Sequence, residues 1–171
     1  MRKLIPVFIF LFSGILIAQE RTQMLKDSIA MVQHEMDKDA AVKLVEDFFV
    51  AFHQKDTLKL RKFTHPNIEM RSIAIDTSGN STIKAEEYAG FLNNIATIPN
   101  STRFEERLNS IAVYVNDELG NVLTPYTFFI NGRLSHCGVN SFQLLKVDEE
   151  WKIINIVDTR KKGDCETEKK S

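Results

Sequence analysis

Val122–Leu145 reads VLTPYTFFINGRLSHCGVNSFQLL, and its centre is Asn131-Gly132. A two-residue connection of this composition suits a tight hairpin turn in which both central residues take positive φ. The flanking apolar runs therefore predict an antiparallel pair of strands, Val122–Ile130 with Arg133–Leu145, with Ile130 opposite Arg133. Counting back from the turn sets Thr127 opposite His136, Pro125 opposite Gly138 and Leu123 opposite Asn140. Side chains alternate along a strand, so Phe129, Leu134, Phe142 and Leu144 fall on the same face as those pairs. Tyr126, Ser135 and Cys137 point the other way. The first face is apolar with a few polar groups, which is the composition of a pocket wall.

On the C-terminal side, a looser turn at Asp148–Glu150 returns the chain through a last strand, Trp151–Thr159. On the N-terminal side, Phe104–Val115 reads as a strand half buried on both faces, and Glu118–Asn121 as a turn. Before Ile95 the periodicity changes. Leu25, Ile29, Val32 and Met36 recur at helical spacing, and so do Ala41, Val45, Phe48, Phe49 and Phe52. The triplet Asp37-Lys38-Asp39 either caps a second helix or lies inside one long helix. Asp56 is placed as N-cap of a short helix over Thr57–Thr64. A strand over Ile68–Ile75, a turn over Asp76–Asn80 and a third helix over Ile83–Ile95 follow.

Three helices followed by a run of long antiparallel strands resemble the NTF2-like superfamily, and within it the SnoaL-like domains of exported bacterial proteins. The resemblance rests on Thr124–Phe142 and on Trp151-Lys152-Ile153, and it covers about Asp39–Arg160. It implies an α+β cone in which three N-terminal helices pack on a strongly curved antiparallel sheet around an internal pocket. It also implies a homodimer formed through the open sheet face. The superfamily includes isomerases, dehydratases, epoxide hydrolases and pockets without chemistry, so activity has to be argued from residues. None of the superfamily's known catalytic sets can be assigned here.

The chain of 171 residues is long enough for one domain, and its 43% hydrophobic content is enough for a sizeable core. Net charge is −1 with both signs interspersed, which argues against nucleic acid as a partner. Arg2 and Lys3, the apolar run Leu4–Ile17 and the small Ala18 read as a cleavable signal peptide. The expected organisation is a signal peptide over 1–18, a helical extension over 19–38, the domain over 39–160 and a charged tail over 161–171. The mature protein is expected in the periplasm or outside the cell if bacterial, with no lasting membrane anchor. Cys137 and Cys165 are either a disulfide, as an oxidising compartment allows, or two free thiols. A bridge is the expectation, because the last strand brings Arg160 across from Cys137 and Gly163 lets the tail double back. The four histidines are scattered, so neither a metal nor another cofactor is expected.

His136 is the strongest chemical candidate, since imidazole exchanges protons near neutral pH. Glu105 and Glu106 are candidate bases, one of them facing inward, and Glu69 is a third. Thr127, Phe129, Asn140, Phe142 and Asn155 are candidate ligand contacts, and Tyr88 is placed to reach the pocket mouth. Each has a structural alternative: a satisfied core histidine, a solvated edge carboxylate, an amide that caps a turn. The leading expectation is a pocket that binds a small, largely apolar molecule without defined catalysis. The second is an isomerase, dehydratase or hydrolase using His136 with a carboxylate about 3 Å away or one water removed. The third is a protein-interaction module, whose pocket would be filled by its own side chains.

Overall fold

The computed structural model describes residues 7–163 and Cys165, with side chains from Gln19 onward. The charged start with Arg2 and Lys3, and most of the expected C-terminal tail, lie outside the described residues. The chain divides into two units, one ending at Asp37 and one beginning at Lys38.

The first helix, α1 (Val7–His53), is one uninterrupted element. No proline or glycine occurs between Gln19 and His65, so nothing breaks the backbone ladder at Asp37-Lys38-Asp39. Pairs four residues apart line its exposed side: Gln23 with Asp27 at 2.7 Å, and Lys43 with Asp47 at 2.9 Å. Leu25, Ile29, Val32 and Met36 in the first unit are exposed. No helix among the described residues is long and apolar enough to cross a membrane.

Within the second unit, Lys55 ends α1 with a left-handed φ of 57°. Asp56 then caps α2 (Thr57–Phe63), its side chain accepting from the Lys59 amide at 3.0 Å. Strand β1 (Thr64–Ile75) follows at once, and Asp76 closes a turn by accepting from the Ser78 and Asn80 amides, each at 2.9 Å. Here the structure corrects the sequence reading. Ser81–Glu86 is strand β2, paired antiparallel with β1, and the third helix, α3, begins only at Tyr88 and runs to Thr97. The turn at Asp76 directs the chain back along β1, so backbone pairing overrides the helical spacing of the following apolar residues.

The strand expected over Phe104–Val115 is two strands, β3 (Phe104–Leu108) and β4 (Ala112–Asn116). Both pair with β5 (Leu119–Ile130), which continues into β6 (Arg133–Val147) and β7 (Glu150–Lys161). The open sheet runs β2-β1-β7-β6-β5-β3, with β4 also on β5, and only β1 and β7 are parallel. The core lies between its inner face and the last turns of α1. Val45, Phe48 and Phe49 pack there with Val122, Phe142, Leu144 and Ile153.

The Asn131-Gly132 hairpin is present, with φ of 51° and 75° and Ile130 paired with Arg133. Beyond Phe129–Leu134, however, Ser135 is an unpaired extra residue, and Phe128 faces His136. The partners become Thr127 with Cys137, Pro125 with Val139, Thr124 with Asn140 and Leu123 with Ser141. This one-residue bulge moves β5 to the opposite parity from the one the turn implied. Thr124, Tyr126 and Phe128 share the inner face with His136, Asn140 and Phe142. Thr127, Phe129, Leu123, Pro125 and Leu134 lie on the outer face.

Cys137, also on the outer side, is bonded to Cys165 with Cα atoms 5.7 Å apart. It pairs with Lys161, one residue beyond the expected Arg160.

Candidate functional site

The inner face, α1 and α3 line a cavity of about 280 Å³ that opens to solvent. Its walls are aromatic: Phe48, Phe49 and Phe52 from α1, Phe91 from α3, Phe128 from β5 and Phe142 from β6. The Phe142 ring meets Phe48 and Phe49 edge-on at 5.9 and 5.8 Å. Its polar groups are Glu106 from β3, His136 and Asn140 from β6, Asp158 and Arg160 from β7, Glu86 at the end of β2, and Asn94 on α3.

Glu106 is the central polar group. Alternation along β3 turns Phe104, Glu106 and Leu108 inward and leaves Glu105 and Arg107 outside, where they pair at 2.9 Å. Asn140 Nδ2 donates to Glu106 Oε1 at 2.6 Å, which favours the carboxylate. Desolvation is stronger, and with the Asp158 charge nearby it pushes Glu106 up to about 7 despite the opposing pull of Asn140 and Arg160. The Glu106 amide donates to His53 Nε2 at 2.9 Å, so that ring is an acceptor there, and burial lowers its proton affinity.

His136 lines the same cavity. Its ring stacks on Phe128 at 4.8 Å and meets Tyr126 edge-on at 5.8 Å. Burial first, then the Arg160 charge, lower its pKa, so it is neutral at neutral pH. Its Nδ1 lies 3.1 Å from Ser135 Oγ, and Glu106 is held by Asn140; of the two arrangements in the second expectation, the direct histidine–carboxylate hydrogen bond is not formed among the described residues. Asp158 is buried, accepts from Ser72 Oγ at 2.9 Å, and is bound through both oxygens by Arg160 Nε and Nη2. Tyr126 donates to the Thr159 carbonyl at 3.0 Å, and burial raises its pKa far above the ordinary value.

Of the residues singled out from sequence, His136, Asn140, Phe142 and Glu106 meet in the cavity. The others do not. Thr127 is on the outer face beside Asn109, and Phe129 lies there under the Arg107 guanidinium at 4.4 Å. The Ser135 bulge accounts for both. Tyr88 is a core residue whose hydroxyl donates to the Leu60 carbonyl at 2.9 Å. Asn155 donates to Gln143 at 3.2 Å on the far side of β7 from Ile156 and Asp158. Glu69 pairs with Arg71 at 2.7 Å and is exposed. Sequence reasoning missed Tyr126, Asp158 and Arg160. The alternation of Ile156, Asp158 and Arg160 along the last strand carried the signal for the last two. No group of three or more potential ligands able to hold a metal occurs among the described residues.

No family model and no curated protein matches the chain. Solved structures do. An NTF2-like protein with a cystatin-like fold from Novosphingobium aromaticivorans superposes with a TM-score of 0.60 at 12% identity, covering 82% of this chain and 92% of that one. An NTF2-like superfamily protein from Salmonella enterica serovar Typhimurium gives 0.58 at 14% identity, over 78% and 97%. A candidate scytalone dehydratase from Novosphingobium aromaticivorans gives 0.56 at 16% identity, over 77% and 89%. At these identities the likeness is one of fold. With the three helices of its described residues set against a mostly antiparallel open sheet that backs a cavity, the chain has the NTF2-like fold.

Proposed function

We propose that the chain binds a small, largely apolar molecule in the cavity, with the molecule's polar end set against Glu106 and Asn140. The observation that supports this most is the convergence of Glu106, Asn140 and His136 on one cavity whose lining also holds six phenylalanines. The cavity is open rather than filled by side chains, which favours this reading over an interaction module. Native mass spectrometry of protein from its own source tests it. A retained small molecule that is lost in Ile95→Trp, where an indole would occupy the cavity, is the expected result. A chain that carries nothing, or whose bound molecule survives that substitution, would contradict it.

A second reading, acid–base catalysis of the isomerase, dehydratase or hydrolase type, is supported by one observation. A carboxyl whose pKa is about 7 can both give and take a proton at neutral pH. In this chain the proton would be carried by Glu106, with Asn140 fixing its carboxyl and neutral His136 as a hydrogen-bond partner to substrate. We also propose export and removal of the first 18 residues, as the SnoaL-like resemblance and the apolar run imply.

A further inference from the structure

We propose that the cavity selects an organic cation, a small molecule with an aromatic or aliphatic body and an ammonium group, an inference that rests on the cavity being a ligand site. The charges are the first ground. Among the described residues, three carboxylates, Glu86, Glu106 and Asp158, line the cavity against a single guanidinium, Arg160. Arg160 bonds both oxygens of Asp158 through Nε and Nη2, so that pair is internally neutralised. His136 adds no positive charge at neutral pH, because burial and Arg160 oppose its protonation. Arg160 acts on Glu86 and Glu106 through its charge alone, its hydrogen bonds going to Asp158; Asn94 and Asn140 donate to them at 3.5 and 2.6 Å.

The walls are the second, independent ground. Phenylalanine π faces attract cations and gain nothing comparable from anions. An anionic ligand would face Glu86 and, where it is ionised, Glu106, with the one guanidinium already bonded to Asp158. A neutral ligand would leave Glu106 either charged in apolar surroundings or protonated. An ammonium ion satisfies the carboxylate and the rings together, and its charge lowers the proton affinity of Glu106, so binding releases a proton where Glu106 is partly protonated.

The test is a titration of the whole chain at pH 8 with three probes of one shape class, followed through the Asn140 side-chain amide by NMR. The probes are benzyltrimethylammonium, its uncharged carbon isostere neopentylbenzene, and phenylacetate. Benzyltrimethylammonium is expected to bind at least about tenfold more tightly than neopentylbenzene, and phenylacetate to bind more weakly than either. Glu106→Gln, which keeps the shape, is expected to reduce that preference severalfold, leaving only what Glu86 and the rings supply. On the unsubstituted chain the preference is expected to shrink at pH 6, which serves the same purpose if the variant does not fold. Neopentylbenzene binding as tightly as the cation, or a preference undiminished by both Glu106→Gln and pH 6, would overturn the proposal while leaving the cavity a ligand site. If no probe moves the Asn140 amide, both the cation proposal and the binding reading fail.

Discussion

Glu106 is held by one amide and buried in the cavity wall, and the energetic consequence has a sign. Its ordinary pKa is 4.5 and its folded value about 7, so between those values the folded chain binds the proton more tightly than the unfolded one. Stability from this group is fully present below pH 4.5 and is lost as pH rises through about 7. Glu106→Gln is therefore expected to match the unsubstituted chain near pH 4 and exceed its stability at pH 8 by about 1–3 kcal/mol, as read by urea unfolding. Equal pH slopes for the two chains would contradict the burial of that carboxyl. His136→Ala removes the ring stacked on Phe128 and is expected to cost about 1 kcal/mol while changing ligand retention more strongly. A loss of several kcal/mol with retention unchanged would make His136 a structural residue. Choosing between Glu105 and Glu106 was possible in principle from sequence. Phe104, Glu106 and Leu108 alternate with the Glu105–Arg107 pair, and two opposite charges two residues apart mark the solvated face.

At the scale of elements, the hairpin was legible because Asn131-Gly132 meets a backbone requirement few dipeptides meet. The bulge at Ser135 was not, because an extra residue in a strand has no strong compositional mark, and it cost the inward placement of Thr127 and Phe129. The helix expected from Ile83 failed for a related reason, since pairing with β1 outweighs local spacing. Gly138 shows how tightly β6 and β7 approach: a Cβ there would lie 1.7 Å from the Thr159 carbonyl oxygen. Gly138→Ala is expected to destabilise the chain by about 3 kcal/mol or more in thermal unfolding, and a neutral effect would contradict this strand register. The Cys137–Cys165 bridge closes a loop across a sequence separation of 28 residues. Its reduction is expected to cost about 3 kcal/mol, and labelling of both thiols in freshly isolated protein would show that the bridge does not form.

For the molecule as a whole, the order of elements and the apolar inner face are enough to indicate the NTF2-like architecture from the amino-acid sequence. The cavity's polar content is not legible in the same way, because it depends on which strand parity survives a bulge and on three strands distant in sequence. On the outer face of the sheet, Tyr114, Leu119, Leu123 and Leu134 are exposed. A homodimer through that face is expected in analytical ultracentrifugation, and Leu123→Lys is expected to return it to a monomer; a chain that sediments as a monomer without substitution would contradict this. A carboxyl poised near neutrality in an aromatic-lined cavity is the feature on which the site depends. Carbon-13 NMR of glutamate-labelled protein measures it most directly. One carboxyl, absent from Glu106→Gln, is expected to titrate near 7 together with the Asn140 side-chain amide. If every glutamate titrates in the ordinary range around 4.5, Glu106 is not enclosed as described and the site as built from it does not exist.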